Sequence, residues 1–404
     1  MRFLYTLALS LLTPILLIRS ARKYAGEHWG VRQRLGFGCP SLKRPIWLHA
    51  ASVGEARAIA PLAQRLSAQY PVLITTTTPT GRDQVLALAP GATHAFLPYD
   101  LPWAMRAWIG RLTPRALILV ETELWPNLID QASKHGVPVV LANARMSQKS
   151  ERGYARFSAL TRPMLQQIQV LAQTEFHRAA FERLGASHVQ VIGNLKYDLP
   201  TLDATRVQHA QAQLGAGIWW VAASTHAGEE LACLQAFQQL AKDHPELRLL
   251  LVPRHPQRFD QVAALAQEFD AGAQRLSETQ QATSRVVVGD AMGQLHAWLT
   301  QAQLAFIGGT LIEHGGQSPI EAAAEGCVIL AGPSRYNFPQ VFEQLAQGAL
   351  IEVSAEQMAT GVAEALTQDG SINQRLIAQH RGATERTQAV IEALVSSREI
   401  RDAP

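Results

Sequence analysis

The stretch Pro45–Leu66, PIWLHAASVGEARAIAPLAQRL, passes from a short apolar run through small residues and a glycine into an amphipathic segment. Its first part is short and continuously apolar, whereas apolar residues in the second part recur at the spacing of one helix face. The stretch therefore predicts a buried strand, a sharp turn and a helix. Glu55 falls in the first turn of that helix. There a carboxylate either only complements the helix dipole or faces a cleft and takes up a proton.

The same alternation repeats along the chain. The first half contains the apolar runs PIWLHA, PVLITTTT, HAFLPYD, RALILVE, VPVVLANA and IQVLAQ, and the second half contains IWWVAAST, LRLLLVP, SRVVVGD, LAFIGG, CVILAG and ALIEV. Continuous apolar strands separated by helical stretches indicate parallel sheets covered on both faces. A polar segment near residue 200 separates the two series. The sequence therefore predicts an α/β protein with two consecutive Rossmann-like units. Trp47, Trp219 and Trp220 lie in apolar runs and are predicted to be core residues.

Composition limits the class of protein. A chain of 404 residues is long for a single core, which again favours two domains. The formal net charge of +3 is too small to indicate a nucleic-acid partner. Three cysteines, Cys39, Cys233 and Cys327, lie far apart and have no metal-ligand spacing. This usage is typical of a reducing compartment without structural disulfides.

The N-terminus departs from the globular pattern, because residues 3–18 carry no charge. About 16 apolar residues fall short of the roughly 20 that span a bilayer, and Pro14 would kink a helix. No small-residue cleavage site follows, so we expect a retained membrane anchor at the cytoplasmic side of the cell inner membrane. The alternative is a buried core helix. The basic residues expected to face an anionic lipid surface, or to be ordinary solvated charges, are Arg19, Arg22, Lys23, Arg32 and Arg34.

Polar and glycine-rich segments follow the predicted strands, at the edge where parallel sheets bind ligands. No G-x-G-x-x-G or G-x-x-x-x-G-K-[ST] motif is present, which argues against a dinucleotide or ATP site. The segment HGGQSPIEAAAEG, residues 314–326, predicts a tight turn at Gly315 and Gly316, then a helix capped by Ser318 and started by Pro319. Glu321 in its first turn either complements the dipole or accepts two ribose hydroxyls, and both interpretations stay open.

Ten motifs occur in a fixed order: HAASVGE, TTTTPTG, LPYDLP, ETELWPNLI, LANARMS, GNLKYD, STHAGEE, VPRHPQRF, VVVGDAMGQL and GGQSPIEAAAEG. Together they resemble the 3-deoxy-D-manno-oct-2-ulosonic acid (Kdo) transferase family of lipopolysaccharide synthesis, over nearly the whole chain. The resemblance implies a GT-B glycosyltransferase fold, with two Rossmann-like domains facing across a cleft. It also implies inverting transfer of Kdo from CMP-Kdo to the tetraacyldisaccharide lipid A precursor, with release of CMP.

The resemblance also implies site residues. Glu55 matches the family's proton acceptor, and Glu121 and Lys196 match its transition-state stabilisers. The residues that match its CMP contacts are Pro253, Arg254, Met292, Gly293, Gln294, Ser318, Pro319, Ile320 and Glu321. Three residues depart from the family pattern: Gln33 and Gln294 stand where Glu is usual, and Ser318 stands where Asn is usual.

We expect a membrane anchor over residues 1–23, an acceptor-binding domain over 24–198 and a CMP-Kdo-binding domain over 199–404. No DxD-type pair stands out, so we expect a reaction without a metal or another cofactor. The expected partners are CMP-Kdo, the lipid A precursor and the inner-membrane surface. The alternatives are another nucleotide-sugar enzyme of GT-B type and a nonenzymatic CMP-binding protein. A nicotinamide-dependent dehydrogenase is disfavoured by the missing fingerprint.

Overall fold

The computed structural model describes residues 1–199 and 202–402. Its helices are α1 (Arg2–Lys23), α2 (Val31–Arg34), α3 (Val53–Ser67), α4 (Pro79–Leu88), α5 (Pro102–Leu112), α6 (Pro126–Lys134), α7 (Gln148–Arg156), α8 (Ser158–Leu165), α9 (Glu175–Arg183), α10 (Ala204–Leu214), α11 (Glu229–Leu240), α12 (Phe259–Phe269), α13 (Leu295–Leu299), α14 (Ile320–Ala324), α15 (Pro339–Leu345), α16 (Met358–Ala365), α17 (Ser371–Gln379) and α18 (Ala383–Asp402). Its strands are β1 (Ile46–His49), β2 (Val72–Thr76), β3 (Thr93–Phe96), β4 (Ala116–Val120), β5 (Val139–Ala144), β6 (Gln169–Ala172), β7 (His188–Val191), β8 (Ile218–Thr225), β9 (Leu247–Pro253), β10 (Gln274–Arg275), β11 (Val286–Val288), β12 (Ala302–Ile307), β13 (Val328–Ala331) and β14 (Leu350–Glu352).

These elements form two compact units, one containing residues 1–199 and 380–402 and the other residues 202–379. The first unit has a seven-stranded sheet of order β3-β2-β1-β4-β5-β6-β7, and the second has one of order β10-β11-β9-β8-β12-β13-β14. All strand pairs in both sheets are parallel. The predicted pair of parallel α/β units is confirmed.

Both faces of the central strand β1 are covered, and all four of its residues are buried. Trp47 packs near Trp108 on one face, with ring centroids 5.8 Å apart. Ile46 and Leu48 enter the core on the other face. The predicted core positions of Trp47, Trp219 and Trp220 are confirmed, because each is at most 1% exposed.

The C-terminal helix α18 belongs to the first unit, although the sequence prediction assigned all of 199–404 to the second domain. Its Ile391 and Val395 are buried in the same core as α3. The Arg386 guanidinium also donates hydrogen bonds of 2.9 and 2.8 Å to the Ile192 carbonyl, which follows β7. Apolar burial and hydrogen bonding therefore return the chain to the first sheet. The predicted boundary itself adjoins residues 200–201, which lie outside the described residues.

Helix α1 is long and apolar enough to cross a membrane by length and composition. The sequence left a buried core helix open, but Thr13 is the single buried residue of α1. The helix continues through Pro14. On its polar side the Tyr5 hydroxyl donates to Asp100 at 3.0 Å, and Arg2 forms an ion pair with Asp130. Helix α1 thus contacts the first unit through polar groups and leaves most of its large apolar side chains exposed.

Arg34 does not face a lipid surface, so that prediction is wrong for this residue. Arg34 is buried and donates to the carbonyls of Trp29, at 2.9 Å, and Thr77. Its guanidinium also lies 5.2 Å from the ring centroid of Phe96. Backbone carbonyls within the first unit thus accept the hydrogen bonds of this buried guanidinium. Arg32, in contrast, is exposed as expected.

Candidate active site

The strand order of the first sheet reverses between β1 and β4, which lie side by side in its centre. In open parallel sheets this switch point opens a crevice at the carboxyl ends of the strands, where ligands bind. Glu55 lies in the first turn of α3, the helix that follows β1. Glu121 comes directly after β4. Two of the predicted catalytic residues therefore follow the two strands that form the switch point.

The Glu55 carboxylate is held by an arrangement close to a capping box, in which it accepts the amide of the residue before the N-cap. The Ser52 hydroxyl accepts a 3.2 Å hydrogen bond from the Glu55 amide and donates to Glu55 Oε1 at 2.8 Å. The Ala51 amide donates to Glu55 Oε2 at 2.7 Å. Both carboxylate oxygens consequently have a fixed orientation.

The pKa of Glu55 is raised above its usual value of 4.5. Burial is the largest cause, and the charges of Glu123 and Glu121 act in the same direction, against the hydrogen bonds from Ser52 and Ala51. A helix N-terminus by itself favours the ionised carboxylate, but burial outweighs the favourable local contacts here. A carboxylate with a raised pKa is a stronger base once it is ionised.

Glu121 is shared by two cations. Its Oε1 lies 2.8 Å from Lys196 Nζ, and its Oε2 lies 2.6 Å from Arg145 Nε. Glu121 is 5% exposed and has a φ of 57°, a left-handed conformation that costs a non-glycine residue about 1–3 kcal/mol. Its amide donates to the Ala142 carbonyl at 2.9 Å, which helps to hold this backbone in place. The structure thus brings the predicted residues Glu121 and Lys196 into direct contact.

Lys196 lies in a 3₁₀ turn, Leu195–Tyr197, that two asparagines orient. The Asn194 side chain accepts the Lys196 amide at 3.0 Å, and Asn143 Oδ1 accepts the Leu195 amide at 3.0 Å. Asn143 is buried at the end of β5 and has a φ of 53°. Asparagine tolerates this conformation better than most residues do. The position of Lys196 therefore depends on a neighbouring strand end.

The C-terminal segment supports the same turn from the other side. The Asp198 carboxylate accepts the amides of Gly382, at 2.6 Å, and Thr384, at 2.5 Å, where α18 begins. Tyr197 and His380 also have ring centroids 5.0 Å apart. A carboxylate near the N-terminus of α18 is favoured by the helix dipole. No local sequence pattern indicates this contact, because the partners are 184 and 186 residues apart.

Sequence reasoning also missed Glu123, Asn143 and Arg145. Glu123 Oε2 accepts the Trp125 indole N–H at 2.9 Å and lies 3.6 Å from the fully buried His49. All three residues occur in two motifs: ETELWPNLI follows β4, and LANARMS spans the end of β5 and the start of the loop after it. Polar residues at the carboxyl end of a central strand indicate a binding site, and this pattern could have identified all three.

Gln33, one of the three residues that depart from the pattern described above, makes hydrogen-bonding contacts with the backbone. Its Oε1 accepts the Phe96 amide at 2.9 Å, and its amide nitrogen lies 3.5 Å from the Gly38 carbonyl. Phe96 ends the edge strand β3. Gln33 therefore satisfies a backbone donor at the edge of the first sheet.

In the second unit the switch point lies between β8 and β12. The buried Glu229 carboxylate accepts amides of His226, at 2.8 Å, Gly309, at 2.8 Å, and Leu311, at 3.1 Å. This holds the loop after β12 against the end of β8. Gly308 begins that loop, and a Cβ there would lie 2.2 Å from the Ser224 carbonyl oxygen. Only glycine permits this approach.

The first predicted CMP residues follow strands β9 and β11, which are neighbours in the sheet. Pro253 ends β9, and the Arg254 amide donates to the Thr225 carbonyl at 3.0 Å. Met292 is 56% exposed, and Gly293 has a φ of 77° and accepts a hydrogen bond from Arg206. Gln294 precedes α13. These residues lie at the carboxyl edge, where parallel sheets bind ligands.

The remaining predicted CMP residues surround the start of α14. Gly315 and Gly316, just before them, have φ values of 84° and 76°, as a tight turn requires. The helix begins at Ile320, one residue later than predicted, and Ser318 Oγ accepts the Ile320 amide only at 3.4 Å. Pro319 lies immediately before the helix, and Glu321 lies in its first turn. Ser318 is exposed and Glu321 half-buried.

A histidine cluster lies at the second switch point. The His226 ring centroid lies 4.2 Å from that of His314 and 5.6 Å from that of His255. The Gln317 side chain contacts His226 Nε2 at 3.1 Å. Burial, followed by the neighbouring cationic groups, lowers the pKa of His226 to about 4. His226 is therefore neutral at physiological pH.

Comparisons with known proteins cover both units. The profile of the family described as 3-Deoxy-D-manno-octulosonic-acid transferase (kdotransferase) matches residues 29–199, and that of Glycosyl transferases group 1 matches residues 231–382. The 3-deoxy-D-manno-octulosonic acid transferase of Haemophilus influenzae is 34% identical over 95% of this chain and 96% of its own length. The 3-deoxy-D-manno-octulosonic acid transferase of Bordetella pertussis is 36% identical over 97% of this chain and 99% of its own length. Among solved structures, a putative UDP-N-acetylglucosamine 2-epimerase from Listeria monocytogenes superposes with a TM-score of 0.58. The match covers 88% of this chain and 97% of the other chain at 12% sequence identity, so it shows a likeness of fold alone.

Proposed function

The chain belongs to the 3-deoxy-D-manno-octulosonic acid transferase family and has a GT-B glycosyltransferase fold. On that premise we propose that it transfers Kdo from CMP-Kdo to the tetraacyldisaccharide lipid A precursor. In this reaction an acceptor hydroxyl forms a bond to the anomeric carbon of Kdo. The bond from that carbon to the CMP phosphate breaks, and CMP leaves with the electron pair. Attack opposite the leaving group inverts the anomeric configuration.

Glu55 is the proposed base. The acceptor hydroxyl loses its proton as the new bond forms, and a carboxylate within hydrogen-bond reach can accept it. The single observation that carries this role is the state of Glu55: an oriented carboxylate at the switch point, with a pKa raised by burial. The Ser52 and Ala51 hydrogen bonds fix its direction, so little reorganisation is needed during proton transfer.

Lys196 and Glu121 are the proposed stabilisers of the transition state. The leaving phosphate gains negative charge as the sugar departs, and a cation placed beforehand stabilises that charge. Glu121 holds the Lys196 ammonium at 2.8 Å, which fixes the cation before the substrate arrives. Arg254 is proposed to contact the CMP phosphate, since arginine can donate two parallel hydrogen bonds to phosphate oxygens.

The direct test is product analysis. Purified protein is incubated with CMP-Kdo and the lipid A precursor, and the products are examined by mass spectrometry. We expect a product heavier than the acceptor by one or more Kdo residues, with stoichiometric CMP. Parallel reactions with UDP-sugars serve as controls. Turnover of a UDP-sugar, or CMP binding without any glycolipid product, would contradict the proposal.

The donor site is tested by Arg254→Ala and Glu321→Gln. Loss of Arg254 should weaken CMP-Kdo binding by about 1.5–3 kcal/mol, the usual contribution of a hydrogen bond to a charged group. Glu321→Gln should weaken CMP more than phosphate analogues that lack the ribose. Arg375→Ala and Glu364→Gln, in the same unit but on α17 and α16, are matched controls for fluorescence or calorimetric titration. Unchanged CMP affinity in both test variants would assign Arg254 and Glu321 to structural roles.

We also propose attachment to the cytoplasmic face of the inner membrane through α1. Large apolar side chains of α1 remain exposed, among them Leu4, Leu11, Ile15 and Ile18. Changing these four to Gln should move the protein from the membrane fraction to the soluble fraction, because about 2 kcal/mol of transfer free energy is lost for each large apolar side chain. Fractionation followed by immunoblotting measures the shift. The Tyr5 contact with Asp100 is retained.

A matched control changes the same number of exposed apolar residues elsewhere: Leu86, Val191, Leu231 and Ile372, each to Gln. This control should stay with the membrane. Equal partitioning of the α1 variant and the control would refute the anchor.

A further inference from the structure

His49 is the last residue of β1, and its side chain is fully buried. Its Nδ1 lies 3.1 Å from the Thr75 carbonyl oxygen and 3.1 Å from Thr75 Oγ1. A carbonyl oxygen only accepts hydrogen bonds, so Nδ1 carries the hydrogen. The Thr75 hydroxyl also accepts the Trp47 indole N–H at 2.9 Å and donates to the Leu48 carbonyl at 3.4 Å. These contacts assign the hydrogen to Nδ1 and fix the orientation of the ring.

The other ring nitrogen of His49, Nε2, has no hydrogen-bond partner among the residues that the structure describes. Glu123 Oε2 lies 3.6 Å from it, beyond the distance of a hydrogen bond. A neutral ring with its hydrogen on Nδ1 offers only a lone pair at Nε2, and an ionised carboxylate also offers only lone pairs. Two acceptors therefore face each other with no hydrogen between them.

A proton is the donor that fits this gap. A bridging water needs about 2.8 Å to each partner, and the separation of 3.6 Å leaves no room for one. The nearby Trp125 indole N–H already donates to Glu123 Oε2 at 2.9 Å. An unpaired buried polar atom costs free energy, and one added proton would satisfy both acceptors. The contact would then become a charge-assisted hydrogen bond of about 2.7–2.9 Å.

The Glu123 side chain connects several elements at the first switch point. It lies in the loop between β4 and α6, two residues after Glu121. Its Oε2 faces His49 at the end of β1 and accepts the indole N–H of Trp125, the N-cap residue of α6. The same loop carries Glu121, whose carboxylate lies 2.8 Å from Lys196 Nζ. The contacts of Glu123 therefore influence the position of Glu121 and its cation.

We propose that His49 and Glu123 share one proton in the active enzyme, and that this bond positions the loop that carries Glu121. The proton belongs to the pair, because either atom can hold it while the other accepts. His49 acts through Glu123 and is a positioning residue. The inference rests on the proposed function for the role of Glu121 in transfer, whereas the shared proton itself does not depend on that function.

Other titratable and charged groups face the pair from α3, from α7, from the loops after β4 and β5, and from the 3₁₀ turn: Glu55, Tyr154, Glu121, Arg145 and Lys196. Burial, with the Glu123 charge as a smaller cause, raises the pKa of the first two. A pH profile of the wild type alone would combine all these groups. The pair is therefore tested by comparing variants that retain every one of them.

The shared proton is tested by ¹⁵N NMR of protein labelled in its histidine rings. The His49 signals are assigned through cross-peaks to the Trp125 ring, whose centroid lies 6.0 Å from that of His49. In the wild type we expect Nε2 to show the shift of a nitrogen that holds or accepts a proton. In Glu123→Leu it should move to the shift of a free acceptor nitrogen. A free-acceptor signal in the wild type throughout the pH range of activity would overturn the inference.

Transfer kinetics test the positioning role. Glu123→Leu removes the bond and should lower kcat about 10- to 100-fold, the cost of a displacement of about 1 Å near a reacting centre. Glu123→Gln should recover most of this loss, because its amide donates a hydrogen to Nε2 without an added proton. Glu182→Leu and Glu182→Gln, at an exposed position on α9, are matched controls and should leave kcat unchanged. If Glu123→Gln were as slow as Glu123→Leu, the negative charge would be required and the inference would fail.

The pH dependence separates the shared proton from the other groups. Loss of the proton restores two facing acceptors, so wild-type kcat should fall as the pH rises past the point where Nε2 loses its proton. Glu123→Gln keeps its amide hydrogen at every pH and should lack this fall. Deprotonation of Lys196 or Tyr154 would act on both proteins alike. Identical alkaline limbs in the two proteins would overturn the inference.

A double-mutant cycle shows whether the two residues act as one unit. His49→Asn keeps a donor to Thr75 and has no group at the position of Nε2, so adding it to Glu123→Leu should lower kcat no further. Additive losses would show independent roles and contradict the inference. Circular dichroism checks folding, and the 24% exposed Glu123 side chain keeps the test possible if the His49 variant does not fold. A shared proton in a wild-type chain that transfers no Kdo would refute the proposed activity and leave the pair standing.

Discussion

Glu55→Gln should reduce Kdo transfer by about 10²- to 10⁴-fold, the range typical of losing a general base. The amide cannot accept the proton of the acceptor hydroxyl, although it has nearly the same shape. Gln also serves in a capping box, so the helix start at Ser52 is preserved. CMP affinity should stay unchanged, because the predicted CMP contacts lie in the other unit. Transfer rates and CMP titration of the same preparation provide the measurement.

The competing interpretation gives Glu55 only a role at the helix dipole. That role is worth about 0.3–1 kcal/mol of stability and none of the rate. Glu175 provides a matched control, because it occupies the first turn of α9 behind the N-cap Thr174. Glu175→Gln should lower stability by a similar small amount and leave transfer intact. A Glu55→Gln protein that transfers Kdo as fast as the Glu175→Gln control would refute the catalytic role.

The central strands were predictable, whereas two edge strands were not. Every predicted apolar run became a strand, because strands covered on both faces must be continuously apolar. Strands β7 and β10 were missed, and each lies at the edge of its sheet. His188 and Gln190 of β7 are exposed, and β10 consists of only Gln274 and Arg275. These two edge strands carry no apolar run, unlike the edge strands β3 and β14, so hydrophobic periodicity did not reveal them.

Site geometry was predictable to the level of motifs but not of contacts. The motifs at the carboxyl ends of β1 and β4 indicated Glu55 and Glu121, since the edge that binds ligands follows from parallel topology. The left-handed conformations of Glu121 and Asn143 leave no signature in composition, because they are imposed by the surrounding structure. The contact of Asp198 with the start of α18 joins distant parts of the chain, and propensity is a local property.

Lys196 and Arg145 allow a sharper test of the transition-state role, because both pair with the Glu121 carboxylate at similar distances, 2.8 and 2.6 Å. Each change to Gln removes one cation and leaves Glu121 with the other. Both side chains are partly exposed, so each variant should lose only about 1–2 kcal/mol of unfolding free energy, less than for a fully buried pair.

Turnover should distinguish the two variants. If Lys196 stabilises the charge that develops on the leaving phosphate, Lys196→Gln should lower kcat by about 10²- to 10³-fold, as loss of a preorganised charge-stabilising donor does. Arg145→Gln should lower it far less, because it removes a partner of Glu121 without removing the ammonium group. Denaturant unfolding and single-turnover transfer on both variants provide the comparison. An equal fall in kcat would mean that the reaction depends on the pairing of Glu121, and Lys196 would then be a positioning residue.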